Sequence, residues 1–279
     1  MKRFPKKRVV ITGAGSGLGR AMSIEFAKLG WQVCVSDIDT ERAKATEAMV
    51  FEHGGKPLVM RCDVTQPEQL ESLADTLKKQ WGGVDIMVNN AGVAAAGYME
   101  KIPLQTWEWI ITLNLKSVIY GCRAFIPLLE RQGNGYIVNV ASNAGIASLP
   151  EMSCYNVTKA GVISLSETLR VELKPRNIGV SVVAPTFFKT NLMDQFTSSD
   201  PRQRKLADAF FEKSKVTSED VARHVIRSIK RNKLYIIAQA DGKFSWFCKR
   251  MTPETYFKVL GWIYKSGLGD RFLGMPKTA

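Results

Sequence analysis

A short β-branched run, followed at once by a glycine-rich loop, constrains the fold most strongly. Val9-Val10-Ile11-Thr12 predicts a buried strand, and residues 20–29 predict a helix. The segment between them, Gly13-Ala14-Gly15-Ser16-Gly17-Leu18-Gly19, can form a tight turn that lets backbone amides approach a ligand closely. At the positive end of a helix such amides can bind a pyrophosphate. The sequence therefore predicts a dinucleotide site near its amino terminus.

Strand and helix patterns alternate along most of the chain. Strands are predicted near 8–12, 32–37, 57–62, 84–89, 135–140, 178–184 and 234–238, and helices near 17–29, 40–53, 67–80, 103–131, 153–174 and 218–231. The strands are almost continuous apolar runs, as expected for a parallel sheet that is covered on both faces. The pattern predicts one α/β domain with a doubly wound, mostly parallel sheet and helices on both faces.

Tyr155 and Lys159 lie four residues apart, which places both side chains on one face of a helix. A free phenol, with a pKa of about 10, is a poor acid or base at neutral pH. A fixed ammonium nearby favours the phenolate and lowers that pKa. The pair could therefore exchange a proton with an alcohol or carbonyl oxygen, although the same spacing also occurs on ordinary helix surfaces.

Several further motifs follow in order along the chain. The glycine-rich loop has the spacing T-G-x-x-x-G-x-G, and Asn89-Asn90-Ala91-Gly92 follows the fourth predicted strand. Pro185 and Thr190 fit a P-G-x-x-x-T loop, except that Thr186 occupies the position of the glycine. In these motifs residues 7–237 resemble the short-chain dehydrogenase/reductase family. The resemblance implies a Rossmann fold and hydride transfer between a nicotinamide cofactor and an alcohol or carbonyl compound.

The resemblance also implies catalytic roles for Asn114, Ser142, Tyr155 and Lys159, which match the family's catalytic set. Ser142 orients the substrate oxygen and Tyr155 gives or takes the proton. Lys159 binds the nicotinamide ribose and lowers the pKa of Tyr155, while Asn114 holds a water that links Lys159 to solvent. Two alternatives remain at this stage: Asn114 as a buried amide bonded to the backbone, and Ser142 as a helix cap or loop residue. For the whole chain, the alternative is a non-catalytic sensor or scaffold that binds dinucleotide.

The cofactor-binding residues that the resemblance implies come from the loops after the predicted strands. They are Gly13, Ser16, Gly17, Leu18, Gly19, Asp37, Ile38, Asp63, Val64, Asn90, Ala91, Gly92, Tyr155, Lys159, Pro185, Phe188 and Thr190.

The end of the second predicted strand indicates which cofactor is preferred. A carboxylate at Asp37 can accept hydrogen bonds from both adenosine ribose hydroxyls but repels a 2′-phosphate. Ser16 and Ile38 occupy the places where family members that prefer NADP usually carry a basic residue. NAD is therefore predicted. In the NADP alternative, Arg20 or Arg42 contacts the phosphate. A separate alternative is that Asp37 merely caps the next helix, a role that Asp39 or Thr40 could also fill.

Composition narrows the partners and the compartment. The formal charge of +13 favours anionic surfaces or ligands, but its positive residues are scattered and no nucleic-acid motif appears, so no nucleic-acid partner is predicted. Five cysteines without paired spacing predict reduced thiols in the cytoplasm. The two histidines do not suggest a metal site, and no apolar run is long enough to span a bilayer.

The substrate is indicated only by apolar segments near the predicted site. Residues 93–96, 146–152 and 187–196 are mostly apolar and small to bulky, which favours a lipophilic alcohol, ketone or aldehyde. The same residues could equally serve for plain packing.

Residues 241–279 form a basic, aromatic carboxyl-terminal extension that follows a catalytic domain assigned to residues 1–240. Pro253 can begin a helix in which Tyr256, Val259, Leu260 and Ile263 form an apolar stripe. Three interpretations stay open: a helix packed on its own domain or closing the substrate pocket, a homodimer or homotetramer interface, and a segment lying peripherally on an anionic membrane.

Overall fold

A parallel sheet forms the centre of the molecule. The computed structural model describes residues 1, 3–188, 190, 194, 196–198 and 200–268. In this part of the chain, seven parallel strands pair in one sheet: β1 (Arg8–Thr12), β2 (Gln32–Asp37), β3 (Lys56–Arg61), β4 (Ile86–Asn89), β6 (Gly135–Val140), β7 (Ile178–Val183) and β9 (Tyr235–Ile236). Two short strands, β5 (Ala95–Ala96) and β8 (Thr197–Ser198), pair separately.

The strand order of the central sheet is β3-β2-β1-β4-β6-β7-β9. The chain builds outward from β1 in one direction and then from β4 in the other. Loops that leave β1 and β4 therefore diverge at the carboxyl edge of the sheet, where doubly wound folds bind ligands. The predicted fold class is confirmed.

Helices cover both faces of this sheet. The described helices are α1 (Gly17–Ala27), α2 (Thr40–Glu52), α3 (Pro67–Trp81), α4 (Leu104–Ile111), α5 (Ser117–Arg131), α6 (Ala144–Ala147), α7 (Ser153–Glu172), α8 (Pro201–Lys213), α9 (Ser218–Lys230), α10 (Ala240–Met251) and α11 (Pro253–Ser266). A 3-10 turn covers Met99–Lys101.

Predicted and observed elements agree closely, with one interrupted helix and three omitted α-helices. All seven predicted strands and five of the six predicted helices lie within two residues of the observed ends. The single helix predicted over 103–131 is instead α4 and α5 joined by a π-helical turn at Thr112–Lys116. Helices α6, α8 and α10 were not predicted.

Alternating side chains of the strands explain the two-sided packing. In β1, Val9 and Ile11 belong to a core cluster shared with α1, α2 and α9. Val10 between them packs on the opposite face with α3 and α5. Every residue of β1 is buried, so the continuous apolar run in the sequence follows from helices on both sides.

A polar chain of side chains crosses the core beside the site. Asn89 at the end of β4 donates its amide to the Asn139 side-chain oxygen of β6 at 2.9 Å. Asn139 in turn donates to the Ser166 hydroxyl of α7 at 3.0 Å. Because all three side chains are buried, these bonds fix the relative position of β4, β6 and α7.

A buried ion pair joins the starts of β1 and β4. The Arg8 guanidinium lies 3.0 Å from Asp85 Oδ1, and the Arg8 backbone N–H donates to Asp85 Oδ2 at 2.8 Å. The two side chains are only 4% and 7% exposed. Removing one partner leaves the other charge uncompensated in the core.

We expect Asp85→Ala to lower the free energy of unfolding by about 3–5 kcal/mol, because it leaves the buried Arg8 charge without its partner. Urea denaturation followed by circular dichroism measures the change. Glu41→Ala is the control, since the Glu41–Lys44 pair is exposed and is expected to contribute about 1 kcal/mol or less. Equal losses in the two variants would contradict the assigned role of the buried pair.

Candidate active site

A cavity of about 1020 Å³ opens along the carboxyl edge of the sheet. Residues that follow six strands of the central sheet contribute to its wall, from Gly13 after β1 to Pro185 after β7. The cavity is large enough for a dinucleotide together with a small organic molecule. This cavity is therefore the candidate site for the predicted cofactor and catalytic residues.

Most of the predicted residues line this cavity. Every predicted cofactor residue except Gly19 does so, as do Ser142, Tyr155 and Lys159. Gly19 and Asn114 lie behind the wall, where Gly19 contacts Gly13 and Asn114 hydrogen-bonds with Val93. Of the segments predicted to shape the substrate pocket, residues 189, 191–193 and 195 lie outside the described residues.

The glycine-rich loop is shaped by close backbone contacts. Gly13 has a φ of +61°, and a Cβ there would lie 2.9 Å from the Cα of Ala91. A Cβ on Gly19 would lie 2.2 Å from the carbonyl oxygen of Gly13. These two glycines therefore let the loop and the start of α1 pack against the segment after β4.

Asn90 holds that loop in place. Its side-chain amide donates to the carbonyl oxygens of Thr12 and Gly13 at 2.8 and 3.1 Å. The Thr12 hydroxyl accepts the backbone N–H groups of Asn90 and Ala91 at 3.0 and 3.2 Å. The N-N-A-G motif thus joins the ends of β1 and β4 directly.

Asp37 organises the loop from the other side. Its carboxylate accepts the backbone N–H of Gly15 at 2.7 Å and that of Asp39 at 3.0 Å. The cap of α2 is Asp39, which accepts the backbone N–H of Arg42. The capping alternative for Asp37 is therefore wrong.

The two arginines considered for a phosphate contact already have protein partners. Arg20 donates to the Thr46 hydroxyl at 2.9 Å and to the carbonyl oxygen of Gly15. Arg42 lies 3.3 Å from an oxygen of Asp39. On the adenine side of the predicted site, the Asp63 carboxylate accepts both the N–H and the hydroxyl of Thr65.

Tyr155, Lys159 and Ser142 meet in one buried group. Tyr155 and Lys159 lie on α7 and are 6% and 3% exposed. The Ser142 hydroxyl lies near the phenol of Tyr155 and acts to lower its pKa. The Lys159 ammonium donates to the carbonyl oxygen of Val140 at 3.1 Å and lies 5.7 Å from the centre of the Tyr155 ring. The Ser142 hydroxyl also accepts the backbone N–H of Ala144, the first residue of α6. The catalytic role of Ser142 stays a prediction.

Burial controls the acidity of this group. It raises the pKa of Tyr155 to about 12, with the Ser142 hydroxyl acting in the opposite direction. Burial also lowers the pKa of Lys159 to about 8. The predicted lowering of the Tyr155 pKa is therefore wrong, because desolvation of the phenolate dominates.

Asn114 lies in the π-helical turn and is fully buried. Its side-chain oxygen accepts the Val93 N–H and its amide donates to the Val93 carbonyl, both at 2.8 Å. A Cβ on Gly92 would lie 2.9 Å from this oxygen and 3.3 Å from the Lys159 nitrogen. The observed bonds are those of a buried amide paired with the backbone. The water relay stays a prediction.

The rest of the cavity wall is mostly apolar and comes from α8 and α11. Leu206, Phe210 and Phe211 of α8 line it, and Phe187 stacks on Phe210 with ring centres 4.8 Å apart. Sequence reasoning missed α8, although Leu206 and Phe210 stand at i,i+4. Tyr256, Leu260 and Ile263 of α11 also line the cavity, whereas Val259 of the predicted stripe is half exposed.

Glu151 joins the segments around this apolar part of the cavity. Its carboxylate forms an ion pair with Arg202 of α8. It also accepts hydrogen bonds from the Gln203 side-chain amide at 2.7 Å and from the Tyr264 hydroxyl of α11 at 2.9 Å. Glu151 has a φ of +60°, so its backbone is in a region that few non-glycine residues adopt. The carboxylate is neutralised by Arg202, and no signal in the sequence pairs these two residues.

Thr186 departs from the P-G-x-x-x-T pattern without backbone strain. It is not among the described residues with positive φ, so its position does not require glycine. Its hydroxyl hydrogen-bonds with Asp241 at 3.2 Å, and a Cβ on Gly242 would lie 2.9 Å from its methyl group. Thr186 therefore contacts the first turn of α10.

Comparison with known proteins decides the family. The model of the short chain dehydrogenase family matches residues 7–201. The chain belongs to the short-chain dehydrogenase/reductase family. The "Probable oxidoreductase EphD" of Mycobacterium tuberculosis is 37% identical over 191 residues, which cover 68% of the chain but 32% of that protein. The chain thus spans about a third of the length of this relative. A "3beta-hydroxysteroid dehydrogenase" of Mediterraneibacter gnavus is 34% identical over 205 residues, covering 73% of the chain and 74% of the relative.

Solved structures agree with this assignment. A short-chain dehydrogenase/reductase from Burkholderia phymatum in complex with NAD superimposes with a TM-score of 0.82 and 29% identity, covering 100% of this chain and 99% of that one. A metagenomic short-chain oxidoreductase in complex with NADP gives a TM-score of 0.62 and 30% identity over 64% of this chain and 82% of that one. Among the described residues, no helix is both long and apolar enough to cross a membrane.

The lowered pKa of Lys159 predicts a pH-dependent stability difference. Between pH 8 and about 10 the unfolded chain keeps a proton that the folded lysine releases, so wild-type stability should rise relative to Lys159→Met. We expect a relative gain of roughly 1 kcal/mol per pH unit above 8, and no change below pH 7. Urea unfolding midpoints at a series of pH values measure it. A difference that stays constant from pH 7 to 10 contradicts the assigned pKa.

Proposed function

We propose that the protein is an NAD-dependent oxidoreductase that transfers hydride between the nicotinamide ring and a lipophilic alcohol, ketone or aldehyde. The observation that carries this proposal is the buried Ser142–Tyr155–Lys159 group, which shares one cavity with the glycine-rich loop. A module that only bound dinucleotide would have no need of a proton-transfer group at this place.

The cavity fits a dinucleotide on structural grounds. Gly13 and Gly19 are positions where a Cβ would collide with backbone, so the loop leaves room for a ligand close to its amides. We assign the binding of the pyrophosphate to Ser16, Gly17 and Leu18. We assign that of the nicotinamide half to Asn90, Lys159, Pro185, Phe188 and Thr190. When bound, the nicotinamide supplies or accepts the hydride.

The side chains of this site supply the proton. Tyr155, with its pKa raised to about 12, keeps its proton at neutral pH and is suited to donate it to a carbonyl oxygen. The Ser142 hydroxyl lies near the phenol and can donate to the same substrate oxygen. The Lys159 ammonium then stabilises the phenolate that forms, because its charge lies on the same face of α7. Asn114 fixes Gly92 and Val93 against this group.

Apolar side chains around Tyr155 support a lipophilic substrate. Phe196, Leu206, Phe211 and Ile263 line the cavity, and its Glu151 carboxylate is neutralised by Arg202. In the described part of this wall the Glu151 and Arg202 charges already pair with each other, so a charged substrate would lose hydration there and gain little in return. The relative from M. gnavus is named for a steroid, a substrate of the same chemical character.

The site around Asp37 supports NAD over NADP. A 2′-phosphate beside this carboxylate would be repelled, and Arg20 is engaged by Thr46 and Gly15. Both cofactors occur among the similar solved structures, with NAD in the one that covers the whole chain. We therefore infer a preference for NAD.

Compartment, assembly and domain limits complete the proposal. We place the protein in the cytoplasm because its five cysteines are all unpaired and four of them are buried.

A homodimer or homotetramer is favoured by the apolar side chains exposed on α5 and α7, among them Ile119, Val157 and Val171. We take residues 1–240 as the catalytic domain and residues 241–279 as an extension; its residues 269–279 lie outside the described part.

Tyr155→Phe keeps the aromatic ring and removes the hydroxyl group that carries the transferable proton. We expect turnover of a lipophilic ketone to fall by roughly 10²–10⁴, with NADH binding unchanged. Steady-state absorbance of NADH measures turnover, and cofactor fluorescence measures binding. Tyr120→Phe on α5, away from the cavity wall, is the control and should keep full activity. Near wild-type turnover in Tyr155→Phe would leave only dinucleotide binding.

Asp37→Ala tests the cofactor preference. We expect the ratio of kcat/KM for NAD over NADP to fall by about tenfold or more, because the repulsion of the 2′-phosphate is lost. Glu41→Ala is the control, since this exposed carboxylate on α2 pairs with Lys44 away from the cavity wall and should leave the ratio unchanged. A wild-type preference for NADP would refute the assignment.

A further inference from the structure

The extension carries an unusual share of the exposed apolar surface. Among the described residues, seventeen large apolar side chains are exposed, and eight of them lie between Phe244 and Leu268. This segment is less than a tenth of the chain. Scattered exposed apolar residues are normal, but such a concentration is typical of an interaction surface.

On α10 the exposed residues form one stripe. Phe244, Phe247 and Met251 stand at i, i+3 and i+7 and are 70%, 57% and 64% exposed. Lys243 and Arg250 are exposed beside the stripe. The opposite side of α10 packs on the domain, where Lys249 donates to the Ile146 carbonyl oxygen and the Ser148 hydroxyl. The helix is therefore held firmly with its apolar stripe directed outward.

On α11 two faces differ in the same way. Leu260 and Ile263 line the cavity. Trp262 is 64% exposed. It follows Lys258 by four residues and precedes Lys265 by three, so the three side chains lie on one face of α11. An exposed tryptophan flanked by lysines is suited to the boundary between headgroups and acyl chains of a bilayer.

Charge indicates the kind of surface that this side of the molecule can bind. Residues 240–268 contain five basic and two acidic residues, and the whole chain has a net charge of +13. An anionic bilayer complements both the apolar stripe and its basic borders. A second copy docked through this same face would bring the basic borders of the two stripes together.

We propose that α10 and the outer face of α11 dock on an anionic lipid bilayer. Helix α11 then lies between the bilayer and the cavity, so that a lipophilic substrate can pass from the lipid to Tyr155 without crossing bulk water. The delivery of substrate rests on the function proposed above, whereas the docking itself does not.

Co-sedimentation of the full-length protein with vesicles tests this surface. We expect binding to vesicles of phosphatidylglycerol and phosphatidylcholine in equal parts, and weak binding to phosphatidylcholine alone. Raising the salt concentration should reduce the first. Phe244→Ser combined with Phe247→Ser should weaken binding by roughly tenfold or more. Phe51→Ser, which changes a 74% exposed phenylalanine on α2, is the matched control and should bind like the wild type.

Two further variants separate the contributions of charge and of Trp262. Lys258→Gln with Lys265→Gln should weaken binding to the anionic vesicles by about fivefold for each lysine. Brominated lipids should quench the fluorescence of the wild type more than that of Trp262→Phe. Equal quenching in these two proteins, or equal binding of the Phe244/Phe247 and Phe51 variants, would overturn the proposal.

The remaining outcomes distinguish this inference from the proposed function. A wild type that reduces soluble ketones but does not bind anionic vesicles overturns the docking alone. Vesicle binding that persists while Tyr155→Phe retains full turnover overturns the catalytic assignment alone. If the wild type is dimeric by size-exclusion chromatography, fails to bind vesicles and becomes monomeric on Phe244→Ser, the surface belongs to a second copy of the chain.

Discussion

The hydrogen bonds between Asn90 and the end of β1 are the constraint on which the whole site depends. Strands β1 and β4 are neighbours at the point where the order of the sheet reverses, and their loops would otherwise diverge. The Asn90 amide and the Thr12 hydroxyl hold those loops together, which brings Gly13 against Ala91. Gly92 then lies beside both Asn114 and Lys159. One motif thus positions the nucleotide loop and the proton-transfer group relative to each other.

Patterns over a few neighbouring residues were sufficient to predict the strands and helices that such short patterns determine. The continuous apolar run at Val9–Thr12 follows from burial on both faces, and the spacing of Tyr155 and Lys159 from helical geometry. The π-helical turn could not be predicted, because it accompanies bonds between Asn114 and Val93, which lies 21 residues earlier. Helix α8 is rich in charged residues, and its apolar side chains are explained only by the cavity that they line.

Burial accounts for the disagreement over Tyr155. Sequence spacing shows that a lysine is near the phenol, but it does not show that both groups are withdrawn from water. Desolvation penalises the phenolate and the ammonium alike, so the two pKa values, which are ordinarily close together, move apart: that of Tyr155 rises to about 12 and that of Lys159 falls to about 8. In the proposed reaction, the phenol keeps its proton until the substrate draws it away, and the adjacent ammonium then compensates the charge. The same consideration explains why substrate type was hard to predict: the wall that selects it is assembled from α8, α11 and the loop before α7.

Glu151 has a consequence for how substrate entry and chemistry are connected. It stands four residues before Tyr155 and two residues before the start of α7, while its carboxylate holds α8 through Arg202 and α11 through Tyr264. Any movement that parts these two helices to admit a bulky molecule must pull on the same carboxylate. The strain is then carried along the short segment that leads to the phenol, so that admission of the molecule and alignment of the acid are mechanically coupled.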